Sequence, residues 1–498
     1  MLYSRSVLVA NSLLVGAIGS SLFCAAAEFP LIIVHLTPSE AFSMPGVSGA
    51  LVYPSRPDRA EKEPSVVSSQ PLYGKLDTGR LFRLDESQGT GHGYDRLLID
   101  RNGNGSLADD RPYNALPTTL TPAASTMNKT FGPVEMFGAT NRGGLCPTFY
   151  AQLSLFNPAQ LRQGRTPSGS TVGYLATKPA TYLKAVVEVD GVKEAVGFLD
   201  GNGNYRLGDV ATFTDGSWMR PCEWEFQRAD YVLRDKNGSG KFERGRVQDE
   251  AELFSNPIYF AGKPFRASFT ADGLLCLAPS AKLASITLTS DSVIQALVLL
   301  RKAADATWQT LVPQVTHNSV KVPAGIYRLL SCTYSITGAK ARFFGLGSMN
   351  SPGKQITVQA DKTVSLPCGP PLHLLVSVVP TQLASNSLLA FSGNDLPGVN
   401  LRAQLVGAGG ETYAAFYRGE RLPQPVGPRL PRYEIVGSWF GRFSGMLRRE
   451  NDGSFTALRS LPSNMANQPA RVTVSLDLQP LGFSASAQAT ETFEVKPE

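Results

Sequence analysis

Leu97-Leu98-Ile99-Asp100-Arg101-Asn102-Gly103-Asn104-Gly105-Ser106-Leu107-Ala108-Asp109 is matched one hundred residues on by Gly197-Phe198-Leu199-Asp200-Gly201-Asn202-Gly203-Asn204-Tyr205-Arg206-Leu207-Gly208-Asp209. Both are a short apolar run followed by D-x-N-G-N-x-x-L-x-D. A degenerate third copy, Asp-Lys-Asn-Gly-Ser-Gly-Lys-Phe-Glu-Arg, starts at Asp235 after Val232-Leu233-Arg234. Apolar runs this short, closed by Asp, Asn and Gly, read as strands entering polar turns. An EF-hand would need amphipathic helices on both sides of each loop. The loops therefore sit on strands, and the region is β.

Oxygen-bearing side chains at the first, third and fifth positions are what a hard cation such as Ca²⁺ asks of a tight loop. The first loop offers Asp100, Asn102 and Asn104, the backbone carbonyl of Ser106, and Asp109 or Asp110 as closing carboxylate. The second offers Asp200, Asn202, Asn204, the carbonyl of Arg206, and Asp209. The third offers Asp235, Asn237, Ser239, the carbonyl of Lys241, and Glu243. The twelfth position, where an EF-hand places a bidentate Glu, holds Arg111, Ala211 and Arg246. Amide ligands and nearby arginines predict weak sites, with dissociation constants of roughly 10⁻⁴–10⁻³ M. The same residues also suit a metal-free turn. Asn-Gly favours a type I′ hairpin, and Asp two residues earlier suits an Asx-turn. Only the Asp at the tenth position is not asked for by a hairpin.

The loops resemble the D-x-N-x-D-G calcium loops of dockerins and thrombospondin type 3 repeats, over about ten residues per copy. The wider pattern, from Gly93-Tyr94-Asp95 through the paired loops to a sandwich-like tail, is similar to uncharacterised exported β proteins of environmental bacteria. That resemblance implies Ca²⁺-type loops and export, and no activity. The helices of dockerins are missing, so cohesin binding is not implied.

Outward from the loops, the same texture continues. Lys184 to Val189, Val196 to Leu199 and Tyr231 to Leu233 are strand-like. Past about Pro279 the acidic loops stop and alternation takes over. Val320-Lys321-Val322, Pro323-Ala324-Gly325 and Ile326 to Leu329 read as strand, turn and returning strand. Asp291 to Ala306 fits either a helix or a buried strand. The fold class expected is all-β and multidomain: a hairpin-rich β region with Asp/Asn turns, then two immunoglobulin-like or transthyretin-like β-sandwiches. The boundaries predicted are a signal peptide over 1–27, an N-terminal strand and linker over 28–70, β regions over 71–170 and 171–280, and sandwiches over 281–370 and 371–498. Ser55 to Pro71 reads as the linker and Leu422 to Pro431, with four prolines, as an exposed loop.

The leader is read from Arg5, an apolar run from Val7 to Phe23, and Ala25-Ala26-Ala27 as a small-residue cleavage site. Export to the periplasm, cell surface or outside is expected, with no membrane-spanning segment left after cleavage. Export permits disulfides. The cysteines left after cleavage are Cys146, Cys222, Cys276, Cys332 and Cys368. None forms a C-x-x-C, and Cys332 with Cys368 is the preferred pair, against five buried thiols.

A net charge of +6 over 498 residues, with no clustered basic run, excludes a nucleic-acid footprint. Four histidines carry no H-E-x-x-H spacing, and no G-x-S-x-G elbow occurs. Gly407-Ala408-Gly409-Gly410 is a loop rather than a phosphate cradle. His92 reads as a surface-loop residue, and acids such as Asp249-Glu250 make a hydrolase only if they converge in space. Trp218 and Trp224 would serve a glycan-binding protein if exposed, or a core if buried. The function expected is a non-catalytic structural or binding protein, possible Ca²⁺ stabilisation included. Its partner would be a protein or glycan. An accessory carbohydrate-binding role and a carboxylate-dependent hydrolase are the alternatives.

Overall fold

The computed structural model describes residues 26–45, 48–55, 63–90, 93–117, 129–136, 148–156, 170–204, 206–214, 229–235, 242, 250–270, 272–280, 282–337, 342–347, 353–383, 396–419, 424–428, 430–437, 441–450, 453–461, 469–483 and 486–494. The chain is all-β and multi-sheet, as its strand texture predicts. Helix among the described residues is confined to Pro38–Ser43 and the short 3₁₀ turn Gln479–Leu481. No helix among them is long and apolar enough to cross a membrane.

Alternation builds the sheets. Leu283–Thr289 and Pro469–Asp477 bury every second residue, so each presents one apolar face. Asp291 to Ala306 resolves as strand Val293–Lys302, paired at its two edges with Trp308–Leu311 and Gly325–Thr337 in a long sheet.

The first acidic loop belongs to a meander of Leu72–Lys75, Leu81–Asp85, Arg96–Ile99 and Tyr113–Asn114. This meander shares a core with a second sheet, Ser48–Val52, Gly173–Pro179, Thr148–Leu155 and Lys129–Glu135. Phe82, Leu84, Leu97 and Ile99 meet Phe131, Leu153 and Leu175 there. The second acidic loop leaves the sheet Ala251–Leu253, Tyr231–Arg234, Val192–Leu199, Thr181–Val189 and Ile32–His35. That sheet packs on Ala27–Pro30, Leu274–Pro279, Lys263–Phe269 and Ile258–Phe260 through Val187, Phe198, Val232, Leu275 and Leu277. The C-terminal half has an eight-stranded sheet, a facing three-stranded sheet and two four-stranded sheets, all joined by one continuous core from Tyr259 to Phe493.

Sheets cross every boundary drawn from composition. Ala27, taken as the leader's last residue, starts a strand and pairs with Leu277. Ile32–His35 pairs with Thr181–Lys184, and Ser48–Val52 with Gly173–Thr177. Thr212–Phe213 joins Trp308–Gln309, and Tyr413–Arg418 extends the sheet of Arg342–Gly347. A strand needs a partner for its edge wherever the chain supplies one, and local composition carries no trace of such distant pairing. The expected linker is also held in part. The Arg83 guanidinium reaches the Pro64 carbonyl at 2.9 Å, and the Asp85 carboxylate accepts from Ser68 N at 2.7 Å. Within the expected proline loop, Gln424–Val426 is a strand paired to Phe416–Arg418.

Candidate functional site: the Asp–Asn loops

The first loop connects two adjacent antiparallel strands, Arg96–Ile99 and Tyr113–Asn114. It is no type I′ turn, because Asn102 has no positive φ, as that turn would require; nor has Asn202. It is a ladder of side-chain-to-backbone bonds. Asp100 Oδ1 accepts from Gly103 N at 2.6 Å and Asn104 N at 3.1 Å, and its Oδ2 from Gly105 N at 3.0 Å. Asn102 Oδ1 accepts from Asn104 N at 3.0 Å, Asn104 Oδ1 from Ser106 N at 2.8 Å, and Ser106 Oγ from Ala108 N at 3.1 Å. From Asn102 onward each step runs two residues forward, which by itself accounts for polar residues at every second position. Gly103 and Gly105 take φ +75° and +78°, the left-handed values that let the N–H groups turn inward.

The tenth-position Asp closes the ladder. Asp109 Oδ2 accepts from Asn102 Nδ2 at 2.7 Å and from Asn104 Nδ2 at 3.0 Å. Those two amides hold the Asp109 carboxyl below the usual aspartate range. The side chains of Asn102, Asn104 and Asp109 thus converge, but amide hydrogens face the carboxylate where a cation would stand. Asp110, the other candidate for closing, turns inward. Its Oδ1 accepts from Arg101 N and Arg101 Nε, both at 3.2 Å. Burial raises its pKa, and the Arg101 bonds offset only part of that.

The second loop repeats the geometry. Gly203 N donates to Asp200 Oδ1 at 2.7 Å, Asn204 N to Asn202 Oδ1 at 2.9 Å, and Arg206 N to Asn204 Oδ1 at 2.8 Å. Asp209 Oδ2 accepts from Asn202 Nδ2 at 2.9 Å and from Asn204 Nδ2. This loop leads to a different sheet, through Thr212–Phe213. So it is a crossover and not the hairpin its sequence suggests. Of the third loop, Asp235 follows strand Tyr231–Arg234, while Asn237, Ser239, Lys241 and Glu243 lie outside the described residues. His92, Asp249, Trp218 and Trp224 lie outside them too.

One residue was absent from the sequence-based set. Asp230, 1% exposed, accepts from Gly208 N at 2.7 Å, Asp209 N at 2.9 Å and Gly201 N at 3.2 Å. Burial, and after it the Asp200 carboxylate, pushes its pKa up to about 8, although the backbone donors pull the other way. Its only sequence signal was its place, one residue before a strand that itself enters an acidic loop.

Other buried carboxylates play the same part. Asp85 accepts from Ser68 N at 2.7 Å, Glu86 N at 2.9 Å and Arg83 Nη2 at 3.1 Å. Glu411, fully buried, accepts from Gly369 N at 2.5 Å, Gly409 N at 3.0 Å and Tyr413 Oη at 2.8 Å. It pins the Gly407–Gly410 loop, which is the plain loop its sequence suggests. A cavity of about 50 Å³ beside the second loop is lined by Leu76, Thr78, Thr177, Lys178 and Asp200. That is room for water rather than for a sugar or drug-sized ligand, whose pockets run to roughly 300–1,000 Å³. Among the described residues, no three His, Cys, Asp or Glu side chains are arranged to hold a metal.

No protein-family model matches the chain, and no curated protein matches it. Among solved structures, it is similar to a DUF3823 family protein from Bacteroides ovatus ATCC 8483, at 14% identity and a TM-score of 0.15. The match covers 43% of this chain and 98% of that one.

Proposed function

We propose that the chain is an exported, non-catalytic structural or binding protein whose β modules are held by carboxylate-closed loops. The observation that carries this reading is the use made of buried acids. Asp85, Asp230 and Glu411 each take two or more backbone N–H groups from loops. A carboxylate saturated this way fixes backbone and has little lone-pair capacity left for proton transfer to a substrate. The ligand of such a scaffold would be a protein or a glycan. Screening against chromogenic glycosides and esters tests the non-catalytic part. Turnover that disappears in Glu411→Gln or Asp230→Asn while the fold persists would overturn it.

Calcium is the second reading, and the convergence of Asn102, Asn104 and Asp109 supports it. Loading asks both Asn amides to turn over, so that oxygens replace nitrogens around the centre. Each loop then offers two carboxylates and two amide oxygens, a low-charge set suited to weak binding. Ca²⁺ bound to the folded state alone would raise the melting temperature as its concentration rises. Identical melting curves in EDTA and in millimolar Ca²⁺ would remove it.

A further inference from the structure

Cys332 lies in strand Gly325–Thr337 of the eight-stranded sheet, and Cys368 directly follows strand Thr363–Pro367 of the facing three-stranded sheet. Both side chains are fully buried in the one core that these sheets share. The backbone on each side is fixed. Cys332 is in register with Leu297, and Cys368 N donates to Thr289 O at 3.2 Å. A chain of contacts joins the two positions as well. Tyr334, on the same strand face as Cys332, meets the Tyr413 ring edge-on at 5.2 Å. Tyr413 Oη donates to Glu411, and Gly369 N, next to Cys368, donates to the same carboxylate oxygen. Both are free thiols in the structure, and the Cys368 thiol is the first cause that raises the Cys332 pKa.

We propose that Cys332 and Cys368 form a structural disulfide that bolts the two sheets of this sandwich together and is made before the core closes. Two thiols lose two hydrogens and gain one S–S bond, while a disulfide oxidant is reduced to two thiols through a mixed disulfide. The timing follows from burial. Both thiols are fully buried, so no oxidant reaches them in the closed core, and the neighbouring Cys368 thiol, burial and the Glu411 carboxylate also hold the Cys332 thiol above its ordinary value. Cys276, a partly buried free thiol on a different pair of sheets, serves as an internal control. An oxidising compartment rests on the export proposed above, whereas the pairing rests on the burial of both cysteines in one core.

Two preparations separate these. The reduced, denatured chain is refolded in a glutathione/glutathione disulfide buffer, and a second sample is collected after leader-directed export. Both are denatured without reductant, alkylated with iodoacetamide, digested and mapped by mass spectrometry. The expected result is a linked peptide joining Cys332 to Cys368, with Cys276 alkylated. The chain refolded under reducing conditions should melt roughly 5–15 °C lower in the transition of this sandwich. Alkylated Cys332 and Cys368 in the oxidatively refolded chain, or either one linked elsewhere, overturn the pairing. A link present after refolding but absent after export supports the pairing and refutes the export. The Cys332→Ala/Cys368→Ala variant should show the lower melting point with no response to reductant; an unchanged melting point would count against a bolt.

Discussion

Replacing Asp230 by Asn should remove the pH dependence that this carboxyl gives the second loop. The folded carboxyl titrates near 8, against an ordinary aspartate value near 4, a gap of about four units. A raised acid stabilises the fold only while it holds its proton. Its contribution is fully present below the unfolded value and falls away as pH climbs through the folded one. The slope over that window is about −1.4 kcal/mol per pH unit, or roughly 5 kcal/mol from pH 4 to pH 8. The loop can escape part of this loss by opening, so the loss is capped at the free energy of opening residues 201–209. Asn stays neutral at every pH. Its oxygen can keep the bonds from Gly208 N and Asp209 N, but its amide then faces Gly201 N, which costs about 1–2 kcal/mol. The two proteins should therefore cross: Asp230→Asn is the less stable at pH 5 and the more stable at pH 9. Hydrogen exchange of peptides covering 199–214, corrected for intrinsic base catalysis, reads the local opening directly. Parallel profiles for the two proteins across pH 5–9 would refute the argument.

Asp209→Ala removes the acceptor of two side-chain amides and should cost about 1–2 kcal/mol, seen as a lower urea midpoint, while Asp209→Asn keeps a carbonyl there and should recover most of it. Gly201→Ala would put a Cβ 2.4 Å from the Ala229 carbonyl oxygen and should destabilise by roughly 1–3 kcal/mol, whereas Gly191→Ala, at φ +77° with open space around it, should cost about 1 kcal/mol. Asn104→Asp replaces an amide donor by a second acceptor aimed at Asp109. In EDTA it should melt below the parent, and if the loop takes Ca²⁺ the gap should close as the metal is added. A variant that melts like the parent in EDTA would mean that the Asn104 amide does not hold Asp109.

The all-β class was legible because it is written locally. Alternation in Leu283–Thr289 and the short apolar runs before Asp100 and Asp200 need no distant information. Module limits were not legible, since Ile32–His35 and Thr181–Lys184 pair across nearly 150 residues and carry no mark of it. The loop residues at positions one, three, five and ten were identified; in both copies the side chains of three, five and ten come together, while the Asp at position one takes backbone N–H groups. Their chemistry was open because Asp-x-Asn-x-Asn serves two purposes alike. A cation and a run of N–H groups both ask for oxygens at every second position. What the tenth Asp does could be seen only with the amide nitrogens in place.

The two loops also differ in a way that their shared pattern hides. In the first, the N–H of position two, Arg101, is accepted by Asp110 at 3.2 Å, and Asp110 is the loop's own eleventh residue. In the second, the N–H of position two, Gly201, is accepted by Asp230 at the same 3.2 Å, from another segment altogether. The eleventh residue there is Val210, which packs against its sheet pair's core instead. Each loop therefore has a third carboxylate at the same backbone donor, local in one copy and distant in the other. The residue at position two follows from that choice. A local Asp110 leaves room for the Arg101 side chain, which pairs with it. The distant acid comes in on the segment Ala229–Tyr231, whose carbonyl and ring leave no space for any Cβ at Gly201. So the unit that folds is not the ten-residue pattern but that pattern plus one buried acid, and a search for further copies should look for the acid in space rather than in sequence.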